Sequence, residues 1–330
     1  MPNYRIVITD YEYSSLQIER EVFRQLGPVD FETAQCRTED DVIRLAEDAD
    51  AILNQYAPIT SSVIHALKRC KVISRYGIGV DTIDLATATD KGIVVSNCTD
   101  YCIDEVADHA LALILASARK VAVLNGLVKS GVWDYKTGIP IYRLRGKIVG
   151  LVGFGKISRN LCKKAQAMGF KVMTYDPFVA ENTMRDYGVE RVELDALCQT
   201  ADFISIHAPL NPQTRGLIGQ RQLSMMKAGA FLINTSRGPL IEETALIAAL
   251  RSSAISGAAL DVVEQEPLPP HHPFLTMENV MLNPHISWYS EESEQELKRK
   301  VAQNIVDVLS GRFPAYLANP EVKQTVKLDS

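Results

Sequence analysis

Short apolar runs alternate with stretches of helical periodicity along most of this 330-residue chain. Arg5–Thr9, Ala51–Asn54, Lys71–Arg75 and Ile93–Ser96 read as strands, with helices near 14–26, 38–48, 60–68 and 84–91. A long helix is predicted from Ile103 to Leu124, with Val106, Ala110, Leu113, Ile114 and Ser117 on one face. A second series opens with the strand Lys147–Val152. It continues with strands over 170–175, 202–206, 230–234, 257–260 and 279–282, and helices near 193–199, 220–227 and 242–251. A last helix spans 290–310, from the acidic start Ser290-Glu291-Glu292 to Gly311 beyond its end. Alternation on this scale predicts an α/β protein with two doubly wound parallel sheets. The two long helices are natural connections between them. The expected division is an outer, discontinuous, flavodoxin-like substrate domain over 1–98 and 288–330, and an inner Rossmann domain over 99–287. A cleft between the two would hold the substrate.

The most informative stretch is Gly153-Phe154-Gly155, directly after the apolar run Ile148-Val149-Gly150-Leu151-Val152. A Gly-rich turn lets backbone N–H groups approach a pyrophosphate, and the helix that follows turns its positive end toward it. Ile157, Leu161, Cys162, Ala165 and Met168 mark that helix, Gly169 ends it, and Phe170–Tyr175 is the next strand. Asp176 stands 21 positions after Gly155, where an acid suits a ribose diol. Ser158 occupies the place of the third glycine of the dinucleotide fingerprint and is small enough for it. Asp176 favours NAD over NADP, because it would repel a 2′-phosphate and no Arg or Lys directly follows it.

Composition narrows the class. Apolar content of 46% and charged content of 23% describe an ordinary globular protein, and 330 residues suffice for two cores. A net charge of -5 argues against a nucleic-acid footprint. Met1-Pro2-Asn3-Tyr4-Arg5 runs straight into a strand rather than a leader, and Ala110–Ala118 is too short to span a bilayer. A cytoplasmic location with no membrane partner is the expectation. The six cysteines, at 36, 70, 98, 102, 162 and 198, form no Cys-x-x-Cys pair, and the histidines lack metal-site spacing, so no metal is predicted.

Three polar residues follow strands of the second series: Arg237 after Ile233-Asn234, Glu266 after Leu260-Asp261, and His285 after Leu282-Asn283-Pro284. Carboxyl ends of parallel strands are where open α/β sheets place ligands. Arg offers a planar fork to a carboxylate, His transfers a proton, and Glu beside the His fixes its orientation. Beside a nicotinamide, these groups suit interconversion of a 2-oxo acid and a 2-hydroxy acid.

Several motifs now line up in order: Tyr76-Gly77-Ile78-Gly79-Val80-Asp81, Gly153-Phe154-Gly155-Lys156-Ile157, His207-Ala208-Pro209-Leu210, Asn234-Thr235-Ser236-Arg237-Gly238, Ala259-Leu260-Asp261-Val262 with Glu266-Pro267, and Asn283-Pro284-His285. Together they resemble the D-isomer-specific 2-hydroxyacid dehydrogenase family over nearly the whole chain. Val106-Ala107-Asp108-His109 and His285-Ile286-Ser287-Trp288 further resemble its C-terminal-binding-protein-like branch. The resemblance implies that Arg237 binds the substrate carboxylate and polarises its carbonyl, that His285 is the acid and base, and that Glu266 pairs with it. It implies Asp261 at the nicotinamide carboxamide with Thr235 along the same ring, and Ser236, Arg237 and His285 beside the cofactor. Lys156 and Ile157 would offer backbone to the pyrophosphate and Asp176 would take the adenine ribose. His207, Ala208, Pro209 and Thr214 would line the adenosine side. Tyr76-Gly77-Ile78-Gly79 would meet the substrate carboxylate through N–H groups, and Trp288 would overhang the substrate or pack as a helix-start aromatic. The implied protein is a homodimer.

Within this class the alternatives are a 3-phosphoglycerate dehydrogenase and a glyoxylate or hydroxypyruvate reductase. Lys71 and Arg75 could serve a phosphate or be solvated strand ends, and the neutral loop Leu53–Pro58, with Tyr56, points to a less charged substrate. From another class, the branch resemblance implies an NAD(H)-sensing dimeric corepressor-like protein.

Overall fold

The computed structural model describes residues 4–329. They fall into two compact units, one that runs up to Tyr101 and resumes at Ser290, and one spanning Cys102–Tyr289. The first begins β1 (Tyr4–Ile8), α1 (Gln17–Phe23), β2 (Val29–Thr33), α2 (Glu39–Ala46), β3 (Ala51–Asn54), α3 (Ser61–Ala66), β4 (Val72–Arg75), α4 (Leu85–Asp90) and β5 (Val94–Ser96). Its sheet is parallel with order β2-β1-β3-β4-β5, the flavodoxin-like arrangement. The inner strands are apolar on both faces, as a sheet covered on both sides requires. β2 is absent from the strands expected above. It is an edge strand in which exposed Asp30 and Glu32 alternate with half-buried residues, so it lacks the continuous apolar run of its neighbours.

The second unit continues with α5 (Ile103–Arg119), α6 (Val121–Lys129), β6 (Ile148–Val152), α7 (Lys156–Ala167), β7 (Lys171–Tyr175), α8 (Glu181–Asp186), β8 (Glu190–Arg191), α9 (Leu194–Thr200), β9 (Phe203–Ile206), α10 (Gln220–Met225), β10 (Phe231–Asn234), α11 (Glu243–Arg251), β11 (Gly257–Leu260) and β12 (Val280–Leu282). Strand order is β12-β11-β10-β9-β6-β7-β8, all parallel. One face is packed with Leu113 and Ile114 of α5, Leu161 of α7, and Phe154 and Phe203. The other carries Leu197, Leu223 and Leu246 from α9, α10 and α11. The order reverses between β6 and β9, which is the point where doubly wound sheets open a ligand crevice.

One expectation is corrected here. The helix read as continuous from Ile103 to Leu124 stops at Arg119. Lys120 adopts the left-handed conformation at φ 55, and α6 leaves at a bend of 60°. The buried stripe of α5 ends at Ser117, so packing no longer holds the next turn in line, and α6 buries none of its own residues.

The chain returns to the first unit in α12 (Glu291–Leu309), which packs on α1 and β4. Ser290 starts it: its hydroxyl accepts from Ser293 N at 2.9 Å while Ser293 Oγ accepts from Ser290 N at 2.7 Å.

Candidate active site

The loop after β6 builds the first half of the site. Gly153 has φ 95, and a Cβ there would lie 2.9 Å from the carbonyl carbon of His207, so the loops after β6 and β9 meet as only glycine permits. Gly155 caps α7 and faces open space. Among the described residues, the N–H groups of Gly155, Lys156 and Ile157 donate to no protein acceptor. They form a fan of donors at a helix N-terminus, suited to an anion. Ser158 is fully buried and its hydroxyl donates to Gly153 O at 2.6 Å, so the serine in the glycine position ties the loop to its helix.

Asp176 follows β7. Its Oδ2 accepts from Phe154 N at 2.8 Å, and its Oδ1 from Phe178 N at 2.8 Å and Val179 N at 3.1 Å. A carboxylate has about four acceptor sites, so Asp176 is a strut of the glycine loop that keeps capacity on Oδ2 for an outside hydroxyl. After β9, the His207 ring exchanges a hydrogen bond with Ser205 Oγ at 2.9 Å, and burial pushes its imidazole down to about 4. Ala208 is buried. Thr214 clamps the turn that follows: its hydroxyl donates to Pro209 O at 2.6 Å and accepts from Asn211 N at 2.9 Å.

The second half comes from β10, β11 and β12. Asn234 Nδ2 donates to Arg237 O at 2.8 Å, its Oδ1 accepts from Ser236 N at 3.0 Å, and Ser236 Oγ donates to Ile206 O at 2.7 Å. The Arg237 loop is therefore shaped from below by Asn234, and Arg237 Nη1 donates to Ser236 O. Gly238 brings this loop onto the next one, since a Cβ there would lie 2.0 Å from Val263 C and O. Glu266 Oε1 accepts from Val263 N at 3.1 Å, and its Oε2 lies 2.7 Å from His285 Nδ1. His285 itself has φ 53, a left-handed position that costs a non-glycine residue about 1–2 kcal/mol. Asp261 holds it there. The Asp261 carbonyl accepts from His285 N at 2.8 Å, and the two carboxylate oxygens accept from Ile286 N and Ser287 N, both at 2.9 Å.

Residues 111–287 match the family described as D-isomer specific 2-hydroxyacid dehydrogenase, NAD binding domain. The chain is also 36% identical over 285 residues to a glyoxylate reductase of Korarchaeum cryptofilum, covering 85% of this chain and 86% of that protein. The chain belongs to the D-isomer-specific 2-hydroxyacid dehydrogenase family. A D-3-phosphoglycerate dehydrogenase of Methanocaldococcus jannaschii is 38% identical over 308 residues, 92% of this chain, but the chain spans only 58% of that relative. Among solved structures, a glyoxylate reductase from Paecilomyes thermophila superposes with a TM-score of 0.87 at 27% identity, over 97% of this chain and 99% of its own.

The NAD-binding unit of this 2-hydroxyacid dehydrogenase family member fits the cofactor its family names. The donor fan at α7 suits the pyrophosphate and Asp176 the ribose. At the other end, Thr235 Oγ1, His109 Nε2 and Asn283 Oδ1 are buried without a hydrogen-bond partner among the described residues. Thr235 follows Asn234, which is paired with Leu260 across β10 and β11, and Asn283 N bonds Leu260 O, so Thr235 and Asn283 flank Asp261. His109 Nε2 stands 4.0 Å from Asp261 Oδ1. Unsatisfied polar atoms of this kind suit an amide-bearing ring. His109 has no assigned role in the sequence reading, because its neighbour Asp261 is remote in the chain; Asn234 enters that reading only within its motif, although it acts locally on Ser236 and Arg237.

In the first unit, Tyr76–Gly79 follows β4. Asn97 Nδ2 donates to Ile78 O at 2.6 Å and Cys98 N to Gly77 O at 3.0 Å. The N–H groups of Gly77, Ile78 and Gly79 donate to no acceptor among the described residues, which leaves a small nest of donors. Arg75 is not a solvated strand end. It is 6% exposed, with its guanidinium against Gly77 and 5.8 Å from the Tyr56 ring. Lys71 is exposed. Asp10 shapes the neighbouring loop by accepting from Gln55 N, Tyr56 N and Ala57 N. Trp288 lies edge-on to Tyr289, with ring centroids 5.5 Å apart. Cys98 and Cys102 are buried, and burial pushes the Cys98 thiol up to about 12, which keeps it protonated and unreactive.

Proposed function

We propose that the protein is an NAD(H)-dependent D-2-hydroxyacid dehydrogenase that interconverts a 2-oxo acid and a D-2-hydroxy acid. The observation that carries this reading is the 2.7 Å pair of Glu266 and His285 on the loops of the NAD-binding unit. Gly155, Lys156 and Ile157 would hold the pyrophosphate, Asp176 the adenine ribose, and Asp261 with Thr235 the nicotinamide end. Bound NADH supplies the hydride that reduces the substrate's carbonyl carbon. Glu266 engages Nδ1 of His285, so Nε2 is the atom that gives a proton to the substrate oxygen in reduction and removes it in oxidation. Arg237 presents its fork to the carboxylate and polarises the carbonyl. Asp261 keeps the His285 backbone in its left-handed position, so the imidazole is ordered before substrate arrives. In the first unit, the donor nest of Gly77, Ile78 and Gly79 suits a substrate carboxylate.

The substrate is read as a small 2-oxo acid. The named activities of the relatives above make glyoxylate and 3-phosphohydroxypyruvate the first to try, and Arg75 beside the loop adds a cation that the neutral Leu53–Pro58 segment lacks. The test is NADH oxidation with glyoxylate, hydroxypyruvate, pyruvate, branched and aromatic 2-oxo acids, and 3-phosphohydroxypyruvate. Turnover of one class supports the reading. Tight NADH binding with no turnover overturns it in favour of an NAD(H)-sensing interaction protein.

The working assembly is read as a cytoplasmic homodimer. No helix among the described residues is long and apolar enough to cross a membrane. Yet α6 and the segment after it expose Val121, Val128, Trp133, Tyr135, Ile139 and Tyr142, with Trp133 at 88%. Apolar surface of this extent suits a second copy of the chain.

A further inference from the structure

We propose that Glu19 is a positioning residue for the Tyr76–Gly79 loop, acting through the hydroxyl of Tyr76. The inference rests on the reading above, in which that loop receives the substrate carboxylate. Glu19 sits on α1 with no exposed surface. A carboxylate taken out of water is costly unless its oxygens are matched by donors. Here Oε1 accepts from Tyr76 Oη at 2.9 Å, while Oε2 has no hydrogen-bond partner among the described residues. Burial accordingly pushes the Glu19 carboxyl up from its ordinary range. Lys298 favours the charged form through space but makes no ion pair with Glu19 among the described residues. Its ammonium is committed to Ser15 O, lies 3.5 Å from Glu294 Oε1 and stands over the Tyr13 ring at 5.0 Å. The hydrogen bond that this carboxylate receives from another element is the one from Tyr76.

That bond fixes the root of the loop. The Tyr76 ring packs against Tyr13, with centroids 4.9 Å apart and planes tilted by 60°, and its hydroxyl is tied to Glu19. Its N–H donates to Asn54 O at 2.8 Å. Beyond it, the carbonyls of Gly77 and Ile78 are taken by Cys98 N and Asn97 Nδ2. The loop is thus held at one side chain, one N–H and two carbonyls, while the N–H groups of Gly77, Ile78 and Gly79 donate to no acceptor among the described residues. Releasing the ring loosens their common origin. The effect falls on carboxylate recognition, and leaves the Glu266–His285 pair and the NAD site untouched.

The test compares Tyr76→Phe, Glu19→Ala, Glu19→Gln and the Tyr76→Phe/Glu19→Ala double variant in the full chain. One readout is amide hydrogen exchange without substrate, at Tyr76 and Cys98, whose N–H groups bond Asn54 O and Gly77 O. The other is KM against kcat for the accepted 2-oxo acid, with the Kd of NADH as control. Tyr76→Phe and Glu19→Ala should each speed exchange and raise KM about tenfold, the scale of one charge-assisted hydrogen bond. Values of kcat and NADH Kd should stay in place. The double variant should be no worse than either single one, and Glu19→Gln, which keeps an acceptor, should recover most of the loss. Wild-type exchange in both single variants, additive losses in the double one, or a fall in kcat at constant KM overturns the proposal. If the wild type reduces no 2-oxo acid, the proposed activity falls, and the exchange data still decide whether Glu19 positions the loop.

Discussion

Three strand-end aspartates direct their carboxylates at backbone rather than at solvent: Asp10 at the loop after β3, Asp176 at the glycine loop, and Asp261 at the His285 loop. Each converts a flexible connection into a fixed surface, which lets loop residues act as ligands. Gly238 belongs to the same construction. Gly238→Ala should cost about 3 kcal/mol in thermal or denaturant unfolding, because the added carbon meets the Val263 backbone and one of the two loops must move. His207 carries a pH signature. Its folded value of about 4 lies below the ordinary 6.5, so the folded state binds fewer protons than the unfolded chain. Stability from neutral His207 is complete above pH 6.5 and is lost as pH falls through 4. Melting temperatures of wild type and His207→Asn should therefore draw together as pH falls across that window, and a constant gap would contradict the assignment. The placement of Arg237, Glu266 and His285 after β10, β11 and β12, and the pairing of Glu266 with His285, were legible because residue type and position after a strand state them locally. The supports were not. Ser158 was placed only as a small residue where a glycine stands, and neither its bond to Gly153 nor the approach of His109 to Asp261 is encoded by any periodicity.

At the scale of elements, the inner strands were legible nearly to the residue. Strands covered on both faces are continuous apolar runs, and β3 and β11 have the bounds their runs predict. Where packing is weaker, the pattern misleads. β2 alternates charge with half-buried positions at a sheet edge, and the break between α5 and α6 falls inside a segment whose local propensity is helical throughout. Lys120 marks that break with φ 55, a strained position for a side chain. Lys120→Gly should stabilise the protein by up to about 1 kcal/mol in chemical denaturation. Destabilisation instead would mean that the two helices run on as one.

For the whole molecule, two parallel sheets of different strand order divide the labour, and the one with the β6/β9 reversal carries the NAD-binding match. The exposed apolar residues of α6 and the segment after it belong to this scale, since α6 buries none of its residues and Trp133 and Tyr135 are 88% and 79% exposed. Sedimentation should give a dimer for wild type and a monomer for a Trp133→Asp/Tyr135→Asp variant; a monomeric wild type at working concentration would contradict the assembly. His285, held by Glu266 and Asp261, is the proposed proton donor in NADH-dependent reduction of a 2-oxo acid. The most direct test of that role is kcat/KM of His285→Ala on the accepted substrate, with NADH affinity measured alongside. His285→Ala should lose about 2–4 kcal/mol of transition-state stabilisation, roughly thirty- to nine-hundredfold in kcat/KM, with NADH binding near wild type. Turnover close to wild type in His285→Ala would contradict it.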